Sequence, residues 1–380
     1  MGVDLPSLFA QRCDLPDRPD ATSLAALPAT GGVALLSDRH DRPVQLVSAE
    51  SLRRVLTARF ERPDDAAEQA HTRRADLRAI VRRVWWQPTR CVFETDWTYL
   101  RVARRLYPSR YRKLLGFGAS WGLRIDPSDR WPAWEVTREL SGDTGVGIGP
   151  FARRADATEF AALLVDAFDL CRYEQVLRQA PHGRACAYAE MGRCDAPCDG
   201  SATREAYLRR VSASIDFALG DRQSHVERWR AEMADATRTL AFEAAGVAKQ
   251  RLDRAETASG RAFRFVGDLS RFDWLIVWRL RNPRWVLPFF VRGGAITAGE
   301  PVLMSDLETG AGSWLDALDQ APADAVGPER TEQMWLVGHY LFKLPLPRMV
   351  AMPRGAIRSH GHVVDAVRSG LTPARSAQGS

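Results

Sequence analysis

Hydrophobic and polar positions change period several times along this chain, and each change marks an element. Gly31-Gly32 open the apolar run Val33-Ala34-Leu35-Leu36; Asp38 to Arg42 is polar, and Pro43-Val44-Gln45-Leu46-Val47 follows. Two short apolar runs around a polar break predict a β-hairpin. From Ser48 to Arg59 the apolar positions Leu52, Val55 and Leu56 recur at helical spacing, so a helix comes next. Glu61 to His71 is charged and Ala-rich, a loop or surface helix. Ala155 to Leu170 places Phe160, Leu163, Leu164 and Phe168 on one helical face. Ser201 is expected to cap a helix carrying Tyr207, Leu208, Val211, Ile215 and Leu219, which Gly220 ends. Val226, Trp229, Met233, Ala236 and Leu240 then repeat at three–four spacing into Phe242-Glu243-Ala244-Ala245, the pattern of a helical hairpin packing on itself. Gly145-Val146-Gly147-Ile148-Gly149-Pro150-Phe151 lacks the glycine spacing of a dinucleotide loop and reads as a turn.

Beyond Thr257 the texture changes. Phe272 to Leu280 and Trp285 to Val291 are aromatic-rich strands joined by Arg281-Asn282-Pro283-Arg284, and Gly293-Gly294 is a further turn. Trp314 to Leu318 and Glu329 to Leu341 read as helices, Arg348 to Met352 as a strand, and the tail from Gly370 as disordered. No repeat recurs. The fold class is therefore multidomain α+β.

Composition narrows the class. At 380 residues, with 45% hydrophobic and 26% charged positions, the chain has the balance of a soluble protein with room for two or three cores. Met1 to Ala10 has neither a basic nor an apolar signal region, and no apolar run reaches about 18 residues, which predicts a cytoplasmic protein. The formal charge of +6 permits a polyanionic partner without requiring one. Almost every cation is Arg rather than Lys, a bias that a GC-rich genome accounts for better than phosphate chemistry does.

Three of the six cysteines, Cys186, Cys194 and Cys198, fall in one short segment, and Cys171 lies just upstream. Clustered thiols suit zinc or an iron–sulfur cluster, whereas isolated ones such as Cys13 and Cys91 serve as small buried hydrophobes. Two Arg-laden segments, Arg73 to Arg90 and Leu100 to Leu115, surround Trp85, Trp86, Trp97 and Tyr99. That mixture suits a nucleic-acid backbone and exposed bases, and equally suits amphipathic helices with core aromatics and solvated arginines.

The motifs resemble a family. Arg184-Ala185-Cys186 … Met191-Gly192-Arg193-Cys194-x-Ala196-Pro197-Cys198-x-Gly200 resembles the cysteine segment of the UvrC excinuclease family. Ile148-Gly149-Pro150-Phe151 is similar to that family's Gly-Pro-Phe turn. Met233-x-x-Ala236-x-x-x-Leu240-x-Phe242-Glu243-x-Ala245 resembles the UVR motif, the hairpin that contacts UvrB. Gly32-Val33-Ala34 … Gln45-Leu46-Val47-Ser48-Ala49-x-x-Leu52-Arg53-Arg54 falls on the start of the GIY-YIG nuclease. The resemblance covers roughly residues 25 to 255. It implies a four-iron four-sulfur cluster on Cys171, Cys186, Cys194 and Cys198, with zinc the rival metal. It also implies DNA as partner, through Arg53 and Arg54, and a UvrB-like helicase docked on Phe242, Glu243 and Ala245.

The departures are specific. The family's two hairpin tyrosines read Ala34 and Gln45, neither of which supplies a phenol to orient water. The second-strand Gly is Val47 and the basic residue after it Ser48. Arg53 stands where the scissile phosphate is stabilised. The metal-binding Glu position, counted back from Pro108, reaches Tyr99; Glu94 and Asp96 are near but out of register. Val247 and Lys249-Gln250 replace an Arg and an Arg-Asp pair in the UVR-like helix, and Cys171 sits two residues closer to the preceding Phe than in the family.

The expectation is a truncated excinuclease-like repair protein: a degenerate GIY-YIG-like domain over 25–125, a helical cysteine-cluster region over 145–222 and a UVR-like hairpin over 223–257. A C-terminal α+β module over 258–370 and a disordered tail over 371–380 complete it. An RNase H-like second nuclease is expected to be missing. The alternatives are an active single-incision endonuclease, using Arg53 and a carboxylate displaced to Glu94 or Asp96 with magnesium or manganese, and a non-catalytic structural adaptor.

Overall fold

The computed structural model describes residues 3–17, 19, 22–60, 77–141, 145–321 and 327–371. The charged stretch 61–71, the start of the first Arg-laden segment and the tail beyond residue 371 lie outside these. The chain divides into two units, Met1–Gly118 with Trp278–Leu287 and Pro301–Asp306, and Ala119–Val277 with Pro288–Glu300 and Leu307–Ser380. The sequence divisions 145–222, 223–257 and most of 258–370 therefore share the second unit. Among the described residues no helix is long and apolar enough to cross a membrane.

The first unit is built on an antiparallel sheet of β1 (Gln11–Asp14), β2 (Gly32–Ser37), β3 (Pro43–Ala49) and β4 (Arg83–Pro88) in the order β1-β4-β2-β3. The predicted hairpin and helix are β2, β3 and α1 (Leu52–Phe60). Asp38 makes the turn: its Oδ1 accepts from the backbone N–H of His40 and Arg42 at 2.7 and 2.9 Å. Gly32 is required, because a Cβ there would stand 2.5 Å from the carbonyl oxygen of Gln87 on the neighbouring strand. β2 is central and wholly buried, and Ala34, Leu36, Val47, Leu52, Leu56 and Trp86 share one core. Trp85 and Trp86 are thus core aromatics of a strand, not exposed rings and not part of an amphipathic helix. α2 (Val92–Leu106) follows, with Phe93 stacked on Trp278 at 6.4 Å.

In the second unit β5 (Trp121–Ile125), β6 (Glu135–Thr137), β7 (Val146–Phe151) and, from far along the chain, β8 (Gly267–Asp268) form a sheet ordered β6-β5-β7-β8. Against it pack α3 (Arg154–Ala167), α6 (Arg204–Leu219), α7 (Arg222–Arg238) and α8 (Phe242–Ala258), with the one-turn helices α4 (Glu174–Leu177) and α5 (Ala187–Glu190) in the cysteine segment. Phe151, Phe160, Phe217 and Trp229 are fully buried in this core. Next come β9 (Trp274–Arg279), β10 (Trp285–Arg292), β11 (Ala295–Ala298), β12 (Val302–Leu303) and β13 (Met349–Pro353). They are ordered β11-β10-β9-β13, with β12 pairing β10. Three helices accompany them, α9 (Leu307–Gln320), α10 (Pro328–Leu341) and α11 (His360–Leu371).

Three expectations change. The glycine run 145–151 is not a turn but strand β7, bonded on both sides; Gly149 takes a φ of 156°, and a Cβ there would crowd the Trp121 carbonyl at 3.2 Å. The cap of α6 is Thr203, whose hydroxyl accepts from the Ala206 N–H at 3.2 Å, and not Ser201. Helix α11 goes beyond the sequence expectation, because its Val363, Val364 and Val367 are poor helix formers whose spacing becomes favourable only once buried.

His225, on α7, is buried against Phe168, Phe217 and Trp229 with ring centroids 5.3, 5.9 and 5.7 Å away. Burial first, and then the Arg228 guanidinium, hold its imidazole below the ordinary range. The unfolded chain therefore takes up a proton that the folded one refuses. Stability is whole above pH ~6.5 and falls as the pH drops below it, by at most about 1.4 kcal/mol per pH unit. Melting between pH 7.5 and 5.5 should show this loss, and His225→Phe should flatten it.

Candidate functional site

The cysteine segment starts where α3 ends. Asp169 takes a left-handed φ of 50°, and the Leu170 N–H returns to the Val165 carbonyl at 2.9 Å. This reversal lays Cys171 into the core. Cys186 stands at the N-terminus of α5. Cys194 and Cys198 are buried, Cys198 in a 3-10 turn (Pro197–Asp199) bounded by left-handed Ala196 and Gly200. Gly183 must be glycine: its N–H bonds the Cys198 carbonyl at 2.8 Å, and a Cβ would lie 2.9 Å from that oxygen. The Cys171 thiol donates to the Tyr173 carbonyl at 3.6 Å and the Cys198 thiol to that of Arg184 at 3.7 Å.

The four thiols form one electrostatic neighbourhood. Burial pushes Cys171 up to about 11, and the charges of Cys194, Cys198 and Cys186 add to the rise. Cys194 is raised by burial and then by Cys186 and Cys198, and Cys198 by burial, then by Asp199 and Cys186. Cys13 and Cys91 belong to the first unit, where burial takes Cys91 to about 12. All six are free thiols. Among the described residues no three His, Cys, Asp or Glu side chains stand already gathered as ligands of one ion.

Arginines tie this weakly structured segment down. Arg172 pairs with Asp166 and lies over the Tyr188 ring at 4.1 Å. Arg210 pairs with Asp195, beside Cys194, and donates to the Asp169 carbonyl at 3.3 Å. Arg251 and Arg254 of α8 reach Asp169 and Asp166 at 2.6 and 3.0 Å.

Helices α7 and α8 form the predicted hairpin, turning through Leu240 at φ 57°. Its core is made by Trp229, Ala236, Ala248, Ala255 and Ala258, all buried. Phe242 takes no part in that core. It is 71% exposed, beside Leu240 at 70% and Val247 at 46%. Glu243 is exposed and Ala245 lies on the same turn of α8. The tip is an apolar patch that the described residues leave open.

The nuclease-like positions are occupied differently. Ala34 is buried opposite Val47 and Trp86. Gln45 pairs opposite Leu36 and accepts from Arg59 at 2.9 Å. Arg53 and Arg54 are exposed on the first turn of α1, and the Arg53 Nε donates to the Leu27 carbonyl at 2.7 Å. The Glu94 carboxylate binds the backbone N–H and guanidinium of Arg90 at 2.6 and 2.7 Å. Arg53 and Glu94 thus answer to different partners. Tyr99 is half-buried and its phenol is raised by burial. Sequence reasoning missed Asp41, which holds Arg83 and the Trp85 indole at 2.5 and 2.9 Å; its position in a hairpin turn was the available signal. It also missed Tyr173 and Met191, 49% and 59% exposed beside the thiols.

A family model described as the middle domain of UvrC/Cho excinuclease matches residues 120–217, the stretch that contains the four clustered cysteines. UvrABC system protein C of Syntrophotalea carbinolica is 26% identical over 236 residues, 61% of this chain and 37% of that protein. The same protein of Trichlorobacter lovleyi is 26% identical over 285 residues, 74% of this chain and 45% of its own length. That of Nitratidesulfovibrio vulgaris is 28% identical over 288 residues, 74% and 40%. The longer alignments exceed the stretch 25 to 255 that the motifs covered. The chain spans less than half the length of these relatives. No solved structure matches it.

Proposed function

Since this chain is a UvrC-like protein, with residues 120–217 belonging to the UvrC/Cho excinuclease middle-domain family, we propose that it serves nucleotide excision repair by binding DNA and a UvrB-type helicase. The observation that carries this reading is the bare tip of the α7–α8 hairpin. A large aromatic left 71% exposed next to a 70% exposed leucine costs solvation free energy that a partner would recover. Phe242 would fill a pocket on the partner, Glu243 would supply a polar contact, and Ala245 with Gly246 would allow the helix to approach closely.

The donor set of the cysteine segment fits a resident metal group in its chemistry: four thiols, three of them buried, with Cys171 within reach of the charges of the other three. Cys171, Cys186, Cys194 and Cys198 would hold a four-iron four-sulfur cluster, or zinc as the rival. Such a group supplies cross-linking between stretches of chain that have little regular structure of their own. The chain's part is to shield the thiols, through Tyr207 and the hydrophobic core, and to position Cys194 through the Arg210–Asp195 pair.

The first unit supports binding better than cleavage. With Ala34 buried and Gln45 engaged by Arg59, neither strand presents a phenol, and the Glu94 carboxylate is committed to Arg90. Arg53 and Arg54 remain at the surface to meet phosphate.

Three outcomes test this reading. Calorimetric titration with the organism's own UvrB-type helicase should show binding that Phe242→Ala weakens by about 2 kcal/mol without unfolding; no binding at tens of micromolar would refute the docking. Protein purified without oxygen should carry iron with sulfide, or zinc, and Cys198→Ser should lose most of it; metal-free wild type would end the metal proposal. Incision of nicked, bubbled or damaged duplexes with magnesium or manganese should be absent, or at least roughly 100-fold below an intact tyrosine site. Robust cutting abolished by Arg53→Ala would favour the endonuclease alternative.

A further inference from the structure

Beside the thiols the cysteine segment presents a face that the reading above leaves without a task. Tyr173, two residues after Cys171, is 49% exposed, and its ring centroid lies 6.0 Å from that of Tyr188 on α5. Tyr188 is fixed from its other side: the Arg172 guanidinium lies 4.1 Å from its centroid and is itself held by Asp166. Asp166 in turn accepts from Arg254 at 3.0 Å. An exposed ring is therefore backed by a second ring whose place is determined by two ion pairs.

The same short segment carries Met191, 59% exposed, with Arg193, also exposed, and an exposed Arg184 at the start of the Cys186 segment. Each is fixed locally. The Arg193 N–H bonds the Tyr188 carbonyl at 2.9 Å, the Met191 N–H bonds that of Ala187 at 3.0 Å, and the Arg184 carbonyl receives the Cys198 thiol. The nearby carboxylates are largely engaged: Glu174 pairs with Arg178, and Asp195 with Arg210. Glu190, at the end of α5, is exposed, as is the paired Asp195. The segment thus carries an open aromatic, an open thioether and the exposed Arg184 and Arg193 between residues 173 and 193.

We propose that the Tyr173–Tyr188 face is a stacking platform for unpaired bases of DNA, with Arg184 and Arg193 meeting the flanking phosphates. This rests on the DNA-binding reading and names what part of the DNA the second unit recognises. A protein partner would gain from Tyr173 and Met191 but would have to supply acidic groups for both arginines. A polynucleotide brings flat bases and regularly spaced phosphates together. A paired duplex hides its base faces in the stack, so the platform distinguishes DNA that is locally opened. The rigid backing matters because a ring already held in place loses little freedom when a base settles on it.

Fluorescence anisotropy of the full-length chain with one labelled sequence, fully paired or carrying a central unpaired bubble, tests this at fixed salt. Wild type should prefer the bubble. Tyr173→Ala should weaken bubble binding about tenfold, within the range expected for loss of one stacked base, and leave the paired duplex unchanged. Tyr173→Phe, which keeps the ring, should behave as wild type. Arg184→Ala and Arg193→Ala should weaken both DNAs and reduce the salt dependence. Tyr173 is exposed, so its variants should melt as wild type does. If Tyr173→Ala binds the bubble normally, or wild type binds both DNAs alike, the platform is wrong while DNA binding stands. If wild type binds neither, the DNA-binding reading falls and takes the platform with it. If Tyr173→Ala instead weakens binding to the UvrB-type protein, the face is a protein interface and the proposal is overturned.

Discussion

The second unit depends on two aspartates around the end of one helix. Asp166 and Asp169 lie at and just beyond the C-terminus of α3, where unsatisfied carbonyls already carry partial negative charge and carboxylates are disfavoured. Arginines from elsewhere offset this: Arg172 and Arg254 on Asp166, Arg251 on Asp169, and Arg210 on the Asp169 carbonyl. An isolated surface pair contributes about 1 kcal/mol or less. Here the groups are partly shielded and share partners, so each cation lost leaves a carboxylate facing a helix end. Through these contacts the cysteine segment, the hairpin and the sheet-backed core are held as one arrangement.

This constraint explains how a segment with so little regular structure can be ordered. Between Cys171 and Gly200 there are only the one-turn helices α4 and α5 and a 3-10 turn, too short to be stable by themselves. The route of the chain past the four cysteines is laid down by Asp169, which reverses it, by Gly183, which lets it pass close to Cys198, and by Ala196 and Gly200, which take left-handed turns. A bound metal would strengthen an assembly whose backbone route is already laid down. The hairpin differs. Its inner stripe is fully used by packing on the core, and its tip carries apolar residues that the described part of the second unit leaves open.

The first unit separates fold from chemistry. Its hairpin keeps the turn, the register and the buried central strand, all of which follow from Gly32, Asp38 and the alternation of β2 and β3. Ala34 is buried opposite Val47 and Trp86, and Gln45 accepts from Arg59. Strand pairing and burial hold this hairpin with no phenol on either strand, so its fold alone assigns it no chemistry.

Much of this was legible in the chain. The hairpin and helix at 32–60, the helices at 154–167, 222–238 and 242–258, and the aromatic strands follow from local period and spacing. Those signals work because the pleat and the helical turn dictate, over a few residues, which side chains share a face. The glycine strand β7 was not legible, since glycines mark both turns and places where backbones approach, and only its neighbours β5 and β8 decide between them. The exposure of Phe242 was equally beyond the sequence: its spacing fits core and tip alike. Tertiary structure alone placed Arg251 and Arg254 on aspartates 82 and 88 residues away. Which distant charges meet depends on how whole helices dock, and docking is determined by the summed burial of many side chains rather than by any local pattern.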